Sequence, residues 1–227
     1  MSKKLIIIGT SEFAEMLYHY IKKDYENYIE AFSVEKDYKM NTHLFDLPIV
    51  TFSQYITKSH SPNSFDMITA ITYKQLNRLR TRLYLEGKEF GYDFASFISK
   101  DSIIDEHVGW GENCVILNNN NLQYKVQIGN NVIIWSGNHI GHSTEIMDNC
   151  FISSGITIAG NCKIGRSCFI GIGANIIDGI SIGEDCIIAA GACITEDTEP
   201  KTVYAGVPAK PIRRITEKDL TNNINKG

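Results

Sequence analysis

From Ile128 to Ile194 every sixth residue is isoleucine, twelve in succession. Extended backward, the register meets Leu122, Ile116, Trp110 and Ile104, so sixteen positions between 104 and 194 carry fifteen aliphatic side chains and one tryptophan. A six-residue period of this kind describes a short strand plus a turn, three of which close a triangular coil of about 18 residues. The stretch 104–194 therefore predicts a parallel β-solenoid of about five coils. Each buried isoleucine contributes roughly 1.5–3 kcal/mol before chain entropy is subtracted, so the repeat supplies its own core.

The position four after the hexad residue, a second inward slot, is mostly small: Cys114, Asn120, Asn138, Thr144, Cys150, Cys162, Cys168, Ala174, Cys186 and Ala192. Five of the six cysteines occupy that slot, where a free thiol packs as a compact apolar group. The gaps between successive cysteines (36, 12, 6, 18 and 7) do not give the Cys-x2–4-Cys spacing of a metal cluster. Only Cys193 lies outside the slot.

Residues 1–100 lack the six-residue register and alternate strand and helix patterns. Lys4 to Ile8, Ile29 to Val34, Ile49 to Phe52 and Asp66 to Ile71 read as strands. Helical spacing runs over Ser11 to Lys23 and over the charged stretch Tyr73 to Lys88. The expected organisation is a small parallel α/β, Rossmann-like domain at 1–100, the solenoid at 101–212, and a C-terminal tail at 213–227, with Pro200, Pro208 and Pro211 in a coil. At 227 residues the chain has ample core for this. Its apolar runs are too short for a transmembrane helix and too short and too charged for a secretory leader, so a cytoplasmic protein without a membrane partner is expected. A net charge of −4 with dispersed basic residues speaks against nucleic acid.

Several patterns could carry chemistry. Gly9, Thr10 and Ser11 form a glycine turn leading into a helix whose first amides could face a phosphate, and Glu35 and Asp37 follow the second strand where a ribose-binding carboxylate would sit. A solvated turn is the alternative. His139 and His142 fall at or near a corner of the coil, facing outward, with Glu145 nearby. Such a histidine can accept a proton from a reacting amine or hydroxyl, with Glu145 to orient it, or can simply be solvated. Zinc would need a third ligand beyond His139-x-x-His142, and none is evident. Gly137, Gly155, Gly173 and Gly191 recur at 18-residue intervals, giving either a column of turn residues or a bare backbone track along which an extended ligand such as the pantetheine arm of coenzyme A could lie. Lys210, Arg213 and Arg214 make a tight basic cluster that a solvated C-terminal charge run would explain.

The hexads, Gly-Asn-His-Ile-Gly-His at 137–142 and Ala-Gly-Val-Pro-Ala-Lys at 205–210, behind an α/β domain, resemble the NeuD-type sugar acyltransferases of the left-handed β-helix class, among them N-acetyltransferases of nucleotide-linked 4-amino sugars. The resemblance implies a left-handed coil, a homotrimer with sites between adjacent prisms, an N-terminal domain that holds the nucleotide-sugar, and acetyl-CoA or another acyl-CoA entering along the prism without a metal. It places the catalytic base on His142, a main-chain contact to the acyl thioester at Gly160, and the coenzyme end at Gly206 to Lys210, which implies a place near the coenzyme's phosphates for Lys210, Arg213 and Arg214. Where that family has an acid directly after the histidine this chain has Ser143, which leaves Glu145 as the candidate partner. Histidines that relatives show at the positions of Ser143 and Gly155 are absent. The expected function is acyl transfer to the amino group of a nucleotide-linked sugar in surface-glycan biosynthesis. O-acetylation of a sugar hydroxyl and a non-catalytic nucleotide-sugar-binding or scaffold role are the alternatives.

Overall fold

The computed structural model describes residues 3–25 and 28–221. The chain divides into two compact units, one made of residues up to 72 and 79–96, the other of 73–78 and everything from 97 onward.

The N-terminal unit is a five-stranded sheet in the order β3-β4-β2-β1-β5. Strands β1 (Lys4–Ile8), β2 (Ile29–Val34), β4 (Leu47–Thr51) and β5 (Phe65–Thr69) are mutually parallel, and β3 (His43–Leu44) pairs antiparallel with β4 through a tight turn at Phe45 and Asp46. Helix α1 (Glu12–Asp24) follows β1 and buries Phe13, Ala14, Leu17, Tyr18 and Ile21, the spacing read from the sequence. Leu5 to Ile8 and Ala31 to Val34 are buried, as befits central strands of a parallel sheet. Helix α2 (Arg78–Glu89) begins five residues later than the periodicity at Tyr73 predicts. Gln75, Leu76 and Asn77 have φ of 55°, 48° and 64°, and three consecutive left-handed residues cannot continue a right-handed helix.

The early segment has another task. Within the second unit Tyr73 packs edge-on against Phe151 and Phe169, Asn77 Nδ2 donates to Asn149 O (2.7 Å), and Arg78 pairs with Asp185. Residues 73–78 thus strap one face of the solenoid, and Leu76 and Asn77 are buried there.

The solenoid consists of seventeen two-residue strands, β6 to β22, running from Phe97–Ile98 to Cys193–Ile194. They stack in parallel into three faces, every partner lying 18 residues away. This is the left-handed parallel β-helix expected behind an α/β unit. The register starts one hexad earlier than Ile104, because Ile98 is the first inward residue and Phe97–Ile98 pairs with Val115–Ile116. From Ile116 to Ile194 every inward aliphatic residue is buried; at the first coil Ile104 is half-buried and Trp110 is 44% exposed, so the tryptophan is no part of the inner stack. Cysteines 114, 150, 162, 168 and 186 are free and buried, each donating its thiol to a carbonyl oxygen. Burial pushes the Cys168 thiol well above its ordinary range, which makes that group inert packing.

The tail is not a coil. Strands β23 (Thr202–Gly206) and β24 (Ala209–Arg214) form an antiparallel hairpin that extends the face ending at Ile187–Ile188, followed by a short helix α3 (Glu217–Thr221). Pro211 is compatible with this because β24 is an edge strand, where a missing N–H costs no ladder bond. The hairpin carries the solenoid unit past residue 212, and residues 222–227 of the expected tail lie outside the described residues. Among the described residues no helix is long and apolar enough to cross a membrane.

Candidate active site on the solenoid

His139 points outward from the six-stranded face, on the strand His139–Ile140 between Asn121–Leu122 and Thr157–Ile158. His142 sits at the corner that leads to the next face, where Ser143 supplies the left-handed turn residue at φ 57°. The corner backbone is pinned between coils. Gln123 Oε1 accepts from His142 N (3.1 Å), Ser143 N donates to Tyr124 O (2.9 Å), and Asn161 N donates to His142 O (2.8 Å). With its main chain so held, the imidazole projects into solvent at the edge of an open cleft of about 560 Å³ that Ile103, Asn121, Leu122, Gln123 and Tyr124 help to line. Ile103 is 73% exposed and gives the cleft an apolar wall.

Position 160 explains how the ring is accommodated. A Cβ on Gly160 would lie 2.6 Å from both Cε1 and Nε2 of His142 and 3.0 Å from Asp178 Oδ1. Only glycine permits that approach. Asp178 was not singled out in the sequence, although the coil period marks it: 142, 160 and 178 are 18 apart and occupy one column. Glu145 does not fill the partner role expected of it. It lies exposed on the adjoining face, in register with Gln127 and Lys163, and forms no hydrogen bond with His142 among the described residues. Three residues of chain carry the backbone round the corner, so the two side chains leave from different faces. The described residues bring together no group of three His, Cys, Asp or Glu able to hold a metal ion.

Gly137, Gly155, Gly173 and Gly191 stand at the corner on the other side of the six-stranded face, with φ of 79°, 66°, 68° and 68°. Left-handed geometry alone does not explain them. Asn119 holds φ 58° in the same column, and Asn113, Asn131 and Asn149 hold similar angles at another corner. A Cβ at any of the four glycines would meet nothing within 4 Å. The corner is an open backbone track.

Of the basic residues in the hairpin, Arg213 is committed to a two-pronged ion pair with Asp219 (2.7 Å for each prong). Arg214 donates to Pro200 O (2.8 Å), and Lys210 stays exposed with Glu196 at 3.8 Å. Gly206, at φ 99°, turns the hairpin.

In the N-terminal unit Gly9 does mark a tight passage: its φ is 126°, and a Cβ would stand 2.8 Å from Ala70 O. Thr10 and Ser11 lead into α1, whose first turn carries Glu12 and Glu15. Those carboxylates already complement the helix dipole and oppose an anion there. Glu35 is not an open ribose ligand, because Arg82 donates to both its carboxylate oxygens (3.1 and 2.9 Å) and to Glu86 Oε1 as well.

The solenoid is thus a three-faced stack of hexads with an outward histidine at one corner and a bare glycine track at the next. The bacterial transferase hexapeptide family (six repeats) matches at residues 125–160 and 161–196. Among solved structures, a mutant of perosamine N-acetyltransferase from Caulobacter crescentus in complex with CoA and GDP-perosamine is similar at 22% identity, with a TM-score of 0.82 over 92% of this chain and 97% of that one. The acetyltransferase domain of PglB from Neisseria gonorrhoeae, in complex with acetyl coenzyme A, is similar at 22% identity and a TM-score of 0.81 over 93% and 100%. WeeI from Acinetobacter baumannii is similar at 20% identity and a TM-score of 0.79 over 93% and 100%. No curated protein sequence matches the chain. The chain has the fold of these proteins from its α/β unit to the end of its solenoid.

Proposed function

We propose that the protein transfers an acyl group, acetyl in the first instance, from acyl-CoA to the amino group of a nucleotide-linked sugar used in surface-glycan assembly. The observation that carries this reading is His142, an outward imidazole with a pinned backbone at the mouth of an open cleft. Structures of the same fold bind CoA or acetyl coenzyme A, and one of them binds GDP-perosamine.

In the reaction the amine nitrogen attacks the thioester carbonyl carbon while His142 accepts the proton the amine sheds. The carbon–sulfur bond then breaks, and the proton passes to the departing thiolate. The Gly160 backbone stands beside the ring, where an amide could bind the oxygen that becomes negative. The glycine track at Gly155 and Gly173 offers main-chain groups to the pantetheine arm, and Lys210, with Gly206 in the hairpin turn, meets its charged end. Arg213 joins it only by leaving Asp219. On the acceptor side, His139 lines the approach to the corner, and the Gly9–Ser11 turn of the N-terminal unit takes the nucleotide, its Thr10 and Ser11 hydroxyls offsetting the acidic first turn. We further propose three copies per assembly, in the cytoplasm, with no metal.

Incubation of the protein with acetyl-CoA and a panel of nucleotide-linked amino sugars, read by release of free thiol and by the mass of the sugar product, tests the reading. An acetylated amine is expected on at least one acceptor. Binding of a nucleotide sugar without thiol release on any of them would leave a binding protein instead.

A further inference from the structure

We propose that Asp178 is the positioning residue for His142, engaging the imidazole by its Nε2 edge across the bare Cα of Gly160 and so replacing the acid that Ser143 cannot supply. The inference rests on the acyl-transfer reading. Its basis is the crowding at one point of the corner column: the Cε1–Nε2 edge of the ring from one side and Asp178 Oδ1 from the other both come within 3.0 Å of where a Cβ on Gly160 would be. With only hydrogen on the Gly160 Cα, no Cβ separates the exposed Asp178 carboxylate from the ring.

The other ionisable groups around the ring are otherwise placed. Asp105, in the cleft, accepts from the backbone N (2.9 Å) and Nδ1 (3.0 Å) of His107. Tyr124, one coil below, packs edge-on against His107. His139 and Glu145 project from the two flanking faces, and Glu196, one coil above Asp178, faces Lys210.

Which nitrogen of a histidine holds the proton is set by the bond the other nitrogen makes. A carboxylate accepting from Nε2–H keeps the proton there and leaves the Nδ1 lone pair for the acceptor amine. Nδ1 then takes the amine proton as the new C–N bond forms, and yields it to the thiolate as the C–S bond breaks.

The test uses the full-length protein and the variants Asp178→Asn, Asp178→Glu and Glu145→Gln. Asp178→Asn keeps size and polarity but removes the negative charge. It is expected to lower kcat about tenfold, as loss of an orienting partner commonly does, with KM for acetyl-CoA within about twofold. Asp178→Glu should restore most of the rate, which a packing role would not allow. The ring-nitrogen NMR shifts of His142 should move in Asp178→Asn and return in Asp178→Glu, a reading independent of turnover. Unchanged ring shifts in Asp178→Asn, or a larger loss of rate in Glu145→Gln than in Asp178→Asn, would overturn the proposal. A wild type that transfers no acyl group, yet shows the shift response, would sink the proposed function and leave the Asp178–His142 pairing standing.

Discussion

His142→Ala separates chemistry from architecture, because a corner side chain projecting into solvent adds little to the isoleucine stack. The variant should retain its fold and its affinity for acyl-CoA while kcat falls by roughly 10²–10⁴-fold, the usual contribution of a positioned base; steady-state kinetics beside a thermal melt would show it, and near-full turnover would move the base elsewhere. The glycine track calls for a different substitution. Valine at Gly155 would combine backbone strain with bulk, since β-branched residues rarely accept φ near 66°. Asparagine avoids that confusion, because Asn119 already takes the left-handed conformation in the same column. Gly155→Asn should therefore melt close to wild type but raise KM for acyl-CoA several-fold. Unchanged KM would reduce the column to turns alone.

Among the elements, the solenoid strands are only two residues long, and each is stable because the coils above and below complete its hydrogen bonds. Buried asparagines extend this ladder through side chains, with Asn113 Nδ2 donating to Asn131 Oδ1 (2.7 Å) and Asn131 Nδ2 to Asn149 Oδ1 (2.8 Å). The five-residue helix α3 is too short to persist on propensity. Asp219 holds it by accepting from the backbone N and the hydroxyl of Thr216 and from Arg213. Chiefly through the Arg213 bonds, the Asp219 carboxyl is held far below the usual carboxylate range. A depressed folded-state value means the contribution is present above the unfolded value near 3.9 and fades only as pH falls through the folded one. Docking of α3 should accordingly persist through pH 4 and loosen only in stronger acid, whereas Asp219→Asn should loosen it at neutral pH, by about 1 kcal/mol once solvent screening of the exposed Arg213 is counted. Amide exchange over 215–221 would register the difference; equal protection in the two proteins would refute it.

At the scale of the molecule, apolar surface is the argument for assembly, and the structure changes which surface that is. Trp135, Phe151 and Phe169 follow or precede inward hexad residues and so face outward from the solenoid, yet Trp135 is half-buried. Phe151 is buried and Phe169 half-buried, because Tyr73 covers both from within the chain. Among the exposed apolar side chains, Ile103, Ile172 and Ile177 lie on or beside the six-stranded face. Threefold closure on that face would cover them and bring the His142 corner against a neighbouring copy. Light scattering should give a mass about three times the 25.5 kDa chain. A stable monomer would remove any shared site.

The six-residue isoleucine period determined the solenoid by itself, because a strand-plus-turn unit repeats its inward position without regard to anything distant. Strands β1 and β2 were readable to the residue because β1 carries the unbroken apolar run Leu5 to Ile8 and β2 is apolar at every position but Glu30 and Ser33. Tertiary structure alone decided whatever depended on residues far apart in sequence. Helical spacing at Tyr73 gave way to a strap because aromatic contacts with Phe151 and Phe169 and the bonds to Asn149 and Asp185 outweighed local propensity. Glu35 was drawn from the ribose position by an arginine 47 residues later. Asp178 lies between these cases. The 18-residue period already put it in the column of His142, but it took the coordinates to show that Gly160 leaves the space between them open.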